Sequence, residues 1–198
     1  MYDWRNLSEV DKDRTLEWRK FRAYPKHNTP HLEGVSKLYH ISAACFEHKN
    51  IIGLNPVRMN EFCKKLVAFC EAHDLGLHAW CVLPNHYHLL LRIEDLKEFS
   101  ILHGRFHGSL SHQWNSEDGT RGRKCFFNHS DRAIRSERHF WVTMNYVHNN
   151  PVHHTYVKKW QEWPYSSAID FIASVGIEQA RTIWREFPVR DYGKKWDV

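Results

Sequence analysis

Two histidines one residue apart, His86 and His88, head the run HYHLLLR. Side chains alternate faces along a strand, so the two imidazoles share one face while Tyr87 and Leu89 take the other. Imidazoles so placed can bring two nitrogens to one divalent ion. An isolated His-x-His is usually two ordinary histidines. Here the flanking leucines put the pair on a buried strand, where polar rings without partners are costly. A second set of residues lies in NYVHNNP, 145–151. Tyr146 and Asn150 are four apart and share a helix face, while Phe140, Met144 and Val147 lie to another side and can anchor the helix. A tyrosinate attacks phosphorus well, and a bound cation polarises phosphate oxygens. The two sets together suggest a nucleophile, Tyr146, beside metal ligands His86, His88 and Asn150. Pro151 disfavours helical geometry at Asn150 and is expected to end the helix.

Other residues compete for these roles. Tyr39, Tyr87, Tyr156 and Tyr165 are alternative phenols. Tyr87 points away from the His86/His88 face, Tyr39 lies opposite His40 on its strand, and Tyr156 and Tyr165 follow Pro151 with no amide at helical spacing. His103 and His107 are also four apart and could bind zinc, although HGRFH lacks the acid of HExxH. The plainer expectation for them is a solvated helix face. Arg105, His107, His112, Arg121, Arg123 and Lys124 form one basic neighbourhood suited to backbone phosphates, and Arg132, Arg135 and Arg138 form a second near Tyr146. Trp114, Phe126, Phe127, Trp160 and Trp163 could stack unpaired bases or fill a core.

The elements that must position these groups can be read from pattern. KLYHISAACF alternates as a first strand. Asn55 and Pro56 open a helix with the stripe Phe62, Leu66, Phe69 and Cys70, and Gly76 is expected as its C-cap. LHAWCVL is a second strand, broken at Pro84-Asn85, and HYHLLLRI a third, antiparallel to it. Glu94 or Asp95 precedes a helix with the stripe Phe99, Leu102, Phe106, Leu110 and Trp114. KCFF is a short fourth strand. Ser136 starts the helix that carries Tyr146, and another helix is expected from Ser167 to Val175. Strand, helix, strand, strand, helix, strand is the ferredoxin-like split βαβ order of an α+β fold with an antiparallel sheet, here with a helix added behind it. Residues 1–30 read as a helical arm and linker, 31–170 as the domain with the chemistry, and 171–198 as a basic tail.

Composition sets wider bounds. At 198 residues, 42% hydrophobic and 14% aromatic, the chain is globular rather than disordered. Its net charge of +5, with 16 histidines not counted, fits a nucleic-acid partner without requiring one. Five cysteines without a CxxC pair argue against a disulfide framework or a cysteine zinc site and suit a reducing cytoplasm. The N-terminus does not read as a secretory signal, no run approaches membrane-spanning length, and no membrane partner is expected.

PNHYHLLLR resembles the His-hydrophobic-His (HUH) motif of the single-tyrosine transposases. DRAIRSERHFWVTMNYVHNNPV followed by WPYSS resembles the C-terminal half of the REP-associated tyrosine transposases. GVSKLYHISAACFEH and WRKFRAYP resemble their first strand and N-terminal segment, so the resemblance runs from about residue 15 to 170. It implies the HUH endonuclease fold with an added catalytic helix, and a Mg²⁺ or Mn²⁺ ion held by His86, His88 and Asn150. It implies attack by Tyr146 on single-stranded DNA, leaving a 5′-phosphotyrosine and a free 3′-OH that can later rejoin strands without ATP. The implied substrate is a hairpin from a repetitive extragenic palindrome, bound by a monomer; exchange of helices in a homodimer, known among single-tyrosine relatives, is the alternative. Where relatives carry Lys or Arg after NPV, this chain has His153 and His154. The expected phosphate contact at His153 is therefore weaker and pH-dependent. Two other functions compete: a domesticated hairpin-binding protein that does not cut, and a metal-dependent phosphodiesterase using water.

Overall fold

The computed structural model describes residues 37–194 and, ahead of them, residues 8–10, 12, 13, 16 and 17. The expected arm lies mostly outside the described residues; within it, Lys12 N–H donates to Ser8 C=O, one helical turn at the expected place. Strand β1 spans Leu38–Ala44, helix α1 Pro56–Ala72, β2 Gly76–Val82, β3 His86–Arg92, α2 Leu96–Glu117, β4 Ser130–Ala133, α3 Glu137–His153, α4 Ala168–Val175 and α5 Ile177–Glu186. The sheet order is β2-β3-β1-β4, with every neighbouring pair antiparallel. That is the α+β split βαβ arrangement expected from the element order.

Both faces of the sheet are covered, which explains why HYHLLLR reads as a continuous buried strand. One face carries Tyr39, Ile41, Tyr87, Leu89 and Leu91, packed with Phe62, Leu66 and Phe69 of α1 and Phe99, Leu110 and Trp114 of α2. The other carries Ala79, Cys81 and Leu90, packed with Met144, Tyr146 and Val147 of α3. All five cysteines are buried free thiols. No helix among the described residues is long and apolar enough to cross a membrane.

Local signals set most boundaries. Asn55 Oδ1 accepts from Arg58 N–H at 2.9 Å, capping α1 ahead of Pro56. Asp95 Oδ1 accepts from the N–H groups of Lys97 and Glu98 and caps α2. Ser136 Oγ accepts from His139 N–H and starts α3. The link from β2 to β3 is a tight turn over Leu83, Pro84 and Asn85, closed by Leu83 N–H to His86 C=O at 2.8 Å. Gly53 lies directly beneath it, where a Cβ would fall 2.4 Å from Pro84 Cβ and 2.6 Å from Pro84 Cα. Gly53→Ala is therefore expected to destabilise the fold by about 1–3 kcal/mol through overpacking against a rigid ring. Chemical denaturation checks this, and an unchanged midpoint would mean that the turn yields freely.

Four expectations need correction. Gly76 is not a C-cap: it opens β2, His73 caps α1, and Asp74 takes the positive φ of 50°. The fourth strand is Ser130–Ala133 rather than KCFF, which contributes only the bridge of Phe126 to Cys45. SDRA lacks apolar alternation because it is an edge strand whose ladder is backbone-made. Helix α3 does not stop before Pro151 but runs to His153. Proline removes one N–H, and the last turn is held by His154 N–H to Asn150 C=O and Tyr156 N–H to Pro151 C=O. Finally, a boundary after residue 170 falls inside α4, and the segment beyond is packed: Asn145 Nδ2 of α3 donates to Phe187 C=O at 2.9 Å.

WPYSS has a structural role that its sequence did not declare. Tyr165 C=O accepts from Val82 N–H, and Ser167 N–H donates to Trp80 C=O, so the segment lines the outer edge of β2. Ser167 Oγ accepts from Trp80 N–H at 2.9 Å and lies 3.0 Å from His148 Nε2, tying β2 to α3.

Candidate active site

His86, His88, Tyr146 and Asn150 come together between the sheet and α3. The His86 and His88 ring centroids are 5.1 Å apart, and His88 lies 5.3 Å from the Tyr146 ring in an edge arrangement. Asn150 Oδ1 is 3.1 Å from His86 Nε2. All four side chains are buried. Convergence follows from two regularities: strand alternation puts both imidazoles on the α3 side, and helical spacing puts Tyr146 and Asn150 on the α3 face that meets them.

Hydrogen bonds fix part of the protonation pattern. Asn85 Nδ2 donates to His48 C=O at 3.2 Å, which orients the amide and turns Oδ1 toward His86 Nδ1 at 2.8 Å. A carbonyl oxygen only accepts, so His86 carries a proton on Nδ1, and in the neutral ring Nε2 holds a lone pair. That lone pair faces another acceptor, Asn150 Oδ1. Two acceptors this close repel unless a positive group lies between them. Adjacent ligand atoms of an octahedral ion with bonds of about 2.1 Å lie about 3 Å apart. The donor set therefore fits the Mg²⁺ or Mn²⁺ ion that the resemblance implies.

The C-terminal segment closes over Tyr146, which is 3% exposed. Arg135 N–H donates to His139 Nδ1, so His139 carries its proton on Nε2 and donates to Tyr192 Oη at 2.9 Å. Thr143 Oγ1 gives its proton to His139 C=O and accepts from Tyr192 Oη at 2.6 Å. Burial raises the Tyr192 phenol above its ordinary pKa. The Tyr192 ring lies 5.7 Å from that of Tyr146, and a Cβ on Gly193 would fall 2.1 Å from Tyr146 Cε2. Gly193 also has φ +80°, where a side chain is strained. Gly193→Val is expected to lift this segment and raise the rate of iodination at Tyr146 several-fold, measured by mass spectrometry; an unchanged rate would mean that the cover survives.

The basic residues divide. Arg105, Arg121, Lys124, Arg135, Arg138 and His153 are exposed. Lys124 Nζ lies over the Phe46 ring at 4.9 Å, and the Arg138 guanidinium over Phe187 at 5.9 Å. Arg132 pairs with His40 across β1 and β4, beside the site. Arg123 is engaged within the fold, donating to Asp118 at 2.7 Å and Asn115 at 3.0 Å. Arg58, buried in α1, holds Asp118 from the other side, and the Asp118 carboxyl is pulled down to about 2.

His103 and His107 are not on a solvated face. Both are buried, and both Nε2 atoms lie 2.6 Å from Tyr87 Oη on the far side of the sheet. Tyr87 faces away from His86 and His88, as its strand parity implied, and its hydroxyl is engaged there by His103 and His107. Sequence reasoning passed over three neighbours of the site. His40 on β1 has its Nε2 3.1 Å from His88 Nδ1. The His154 ring, rather than that of exposed His153, lies 4.8 Å from His86. Tyr192 is the third. For His40 the signal was strand parity, and for His154 it was its place beside His153 after NPV, where the choice between the two rings depends on a helix running through proline; for Tyr192 there was none, because a returning tail is a tertiary fact.

Comparison with known proteins decides the family. No family model matches the chain. A putative REP-associated tyrosine transposase of Haemophilus influenzae is 30% identical, with the match covering 55% of this chain and 68% of that protein. The chain belongs to the REP-associated tyrosine transposases. A REP-associated tyrosine transposase of Escherichia coli K12 is 29% identical over 46% of this chain, and the match spans about half, 53%, of that relative. A solved structure of a REP-associated tyrosine transposase bound to a REP hairpin superposes with a TM-score of 0.59 at 17% identity, covering 74% of this chain and 86% of that one. At that identity the likeness concerns the fold, and it agrees with the α+β architecture of this transposase-family chain.

Proposed function

We propose that this chain is a divalent-metal-dependent nuclease and strand transferase acting on single-stranded DNA beside a palindromic hairpin. The observation that carries the reading is convergence: two imidazoles, an amide oxygen and a phenol from two distant segments meet in one buried place. His86, His88 and Asn150 would hold Mg²⁺ or Mn²⁺, which when bound withdraws charge from the scissile phosphate. Tyr146 Oη attacks phosphorus, the bond to the 3′ oxygen breaks, and that oxygen leaves as a 3′-OH after taking up a proton. The DNA remains on Tyr146 through its 5′ phosphate. A second 3′-OH can reverse the step, because one phosphate ester is exchanged for another at little net cost. Arg132, beside the site, and exposed Arg135, Arg138 and His153 supply cationic contacts to the strand, while Arg105, Arg121 and Lys124 lie with them on the accessible surface. Arg123 joins them only by leaving Asp118. The chain acts as a monomer in the cytoplasm.

The test is a 3′-labelled single-stranded oligonucleotide with a hairpin, incubated with Mn²⁺ and resolved under denaturing conditions. A covalent protein–DNA band that chelation abolishes is the expected result. Product without that band would assign the attack to water. One observation favours a second reading, hairpin binding without cleavage: Tyr146 lies beneath Tyr192 and Gly193. That reading predicts hairpin affinity with neither band nor product, with or without metal.

A further inference from the structure

We infer that His40 is a positioning residue that holds His88 in its ligand-competent tautomer. The inference rests on the proposed metal site and deepens it. His40 lies in the middle of β1 and is fully buried. An imidazole placed there is costly unless it is hydrogen-bonded. Its Nε2 lies 3.1 Å from His88 Nδ1, reaching diagonally across the β1–β3 ladder, where Ser42 is the direct partner of His88.

Two neutral imidazoles meeting nitrogen to nitrogen share one proton, and this allows two arrangements. If His40 donates, His88 must carry its own proton on Nε2, and that nitrogen cannot bind a cation. If His88 donates from Nδ1, its Nε2 carries the lone pair. Only the second arrangement makes His88 an Nε2 ligand. The neighbouring histidine shows the same construction with an unambiguous partner, since Asn85 Oδ1 takes the Nδ1 proton of His86. Each histidine of the motif is thus gripped at Nδ1, one by a turn residue and one by the central strand. Such outer partners fix ring orientation and commonly change metal affinity 10- to 100-fold when lost. His40 also presents its ring to Tyr146, with centroids 5.6 Å apart and planes at 78°, so it touches the ligand and the candidate nucleophile together.

Two readouts test this. In the metal-free protein, long-range ¹H–¹⁵N spectra at about pH 8, where ordinary imidazoles are neutral, report each tautomer directly. His88 is expected as Nδ1–H in the wild type and in His40→Gln, whose amide oxygen can still accept. It is expected to shift toward Nε2–H in His40→Leu. Mn²⁺ affinity, followed by the paramagnetic resonance of the free ion, is expected to fall 10- to 100-fold in His40→Leu and to be largely restored in His40→Gln. An Nε2–H His88 in the wild type would overturn the inference. So would unchanged Mn²⁺ affinity in His40→Leu, or a loss in His40→Gln as large as in His88→Ala, which would make His40 a direct ligand. If His40→Leu does not fold, the wild-type tautomer and His40→Gln still decide. Failure of the metal reading itself looks different: wild type and His86→Ala would then bind Mn²⁺ equally poorly.

Discussion

Tyr146→Phe is expected to abolish the covalent DNA adduct and to leave hairpin binding within a few-fold of wild type. The substitution removes one oxygen from a ring that keeps its packing in the core beneath α3. Loss of a nucleophile that no neighbour replaces costs about four to six orders of magnitude in rate. Among the described residues no other phenol is placed to substitute. Tyr87 is on the opposite face, tied to His103 and His107, and Tyr192 is bound through its hydroxyl to Thr143 and His139. The measurement is the denaturing-gel adduct assay together with hairpin affinity by fluorescence anisotropy. An adduct persisting in Tyr146→Phe would move the chemistry to another group, with Tyr192 the first to examine. Loss of hairpin affinity along with the adduct would mean that the hydroxyl binds rather than reacts.

Mild acid should unfold the protein well above the pH at which its carboxylates are neutralised. Burial holds His107 and His148 down at about 3 and His103 well below its ordinary value. In the unfolded chain all three return to about 6.5. Above about pH 6.5 these groups are neutral in both states, and the stability linked to their burial is complete. As pH falls toward 3 the unfolded state takes up protons that the folded state refuses, so stability declines by up to about 1.4 kcal/mol per pH unit for each imidazole. At pH 5 that is about 2 kcal/mol each for His107 and His148, with His103 acting in the same direction, against a total of about 5–15 kcal/mol for an ordinary domain. Asp118, lowered by its hydrogen bond to Arg58, gives up its contribution only below about pH 4, so the two effects separate on the pH axis. Urea denaturation at pH 7 and pH 5 measures the loss, and His148→Gln should remove about 2 kcal/mol of the pH dependence. Equal midpoints at the two pH values would mean that these imidazoles are charged within the fold.

The architecture was legible because its elements carry strong local signals: Asn55-Pro56 and Asp95 for α1 and α2, and alternation for β1. The pairing of Tyr146 with Asn150 was legible for the same reason. Four apart is a fixed relation on any helix, and it survived Pro151 because that helix continued. SDRA was illegible because an edge strand is specified by its partner's backbone and not by its own side chains. His103 and His107 were misread because a polar residue on a helix looks solvated until the phenol that accepts it, Tyr87 on another element, is known. His40 stood in plain alternation, but its meaning depends on a neighbour 48 residues away.

The path of residues 163–167 along β2 has a consequence for the company this chain keeps. An open strand invites others to extend its ladder, yet here Tyr165 and Ser167 already occupy the outer side of β2. The opposite margin, β4, is only four residues long and includes Asp131 and Arg132. Among the described residues neither side offers a long apolar template for a newcomer, so this sheet gives a second copy little backbone to extend, and the helices are left as the surfaces on which copies could meet.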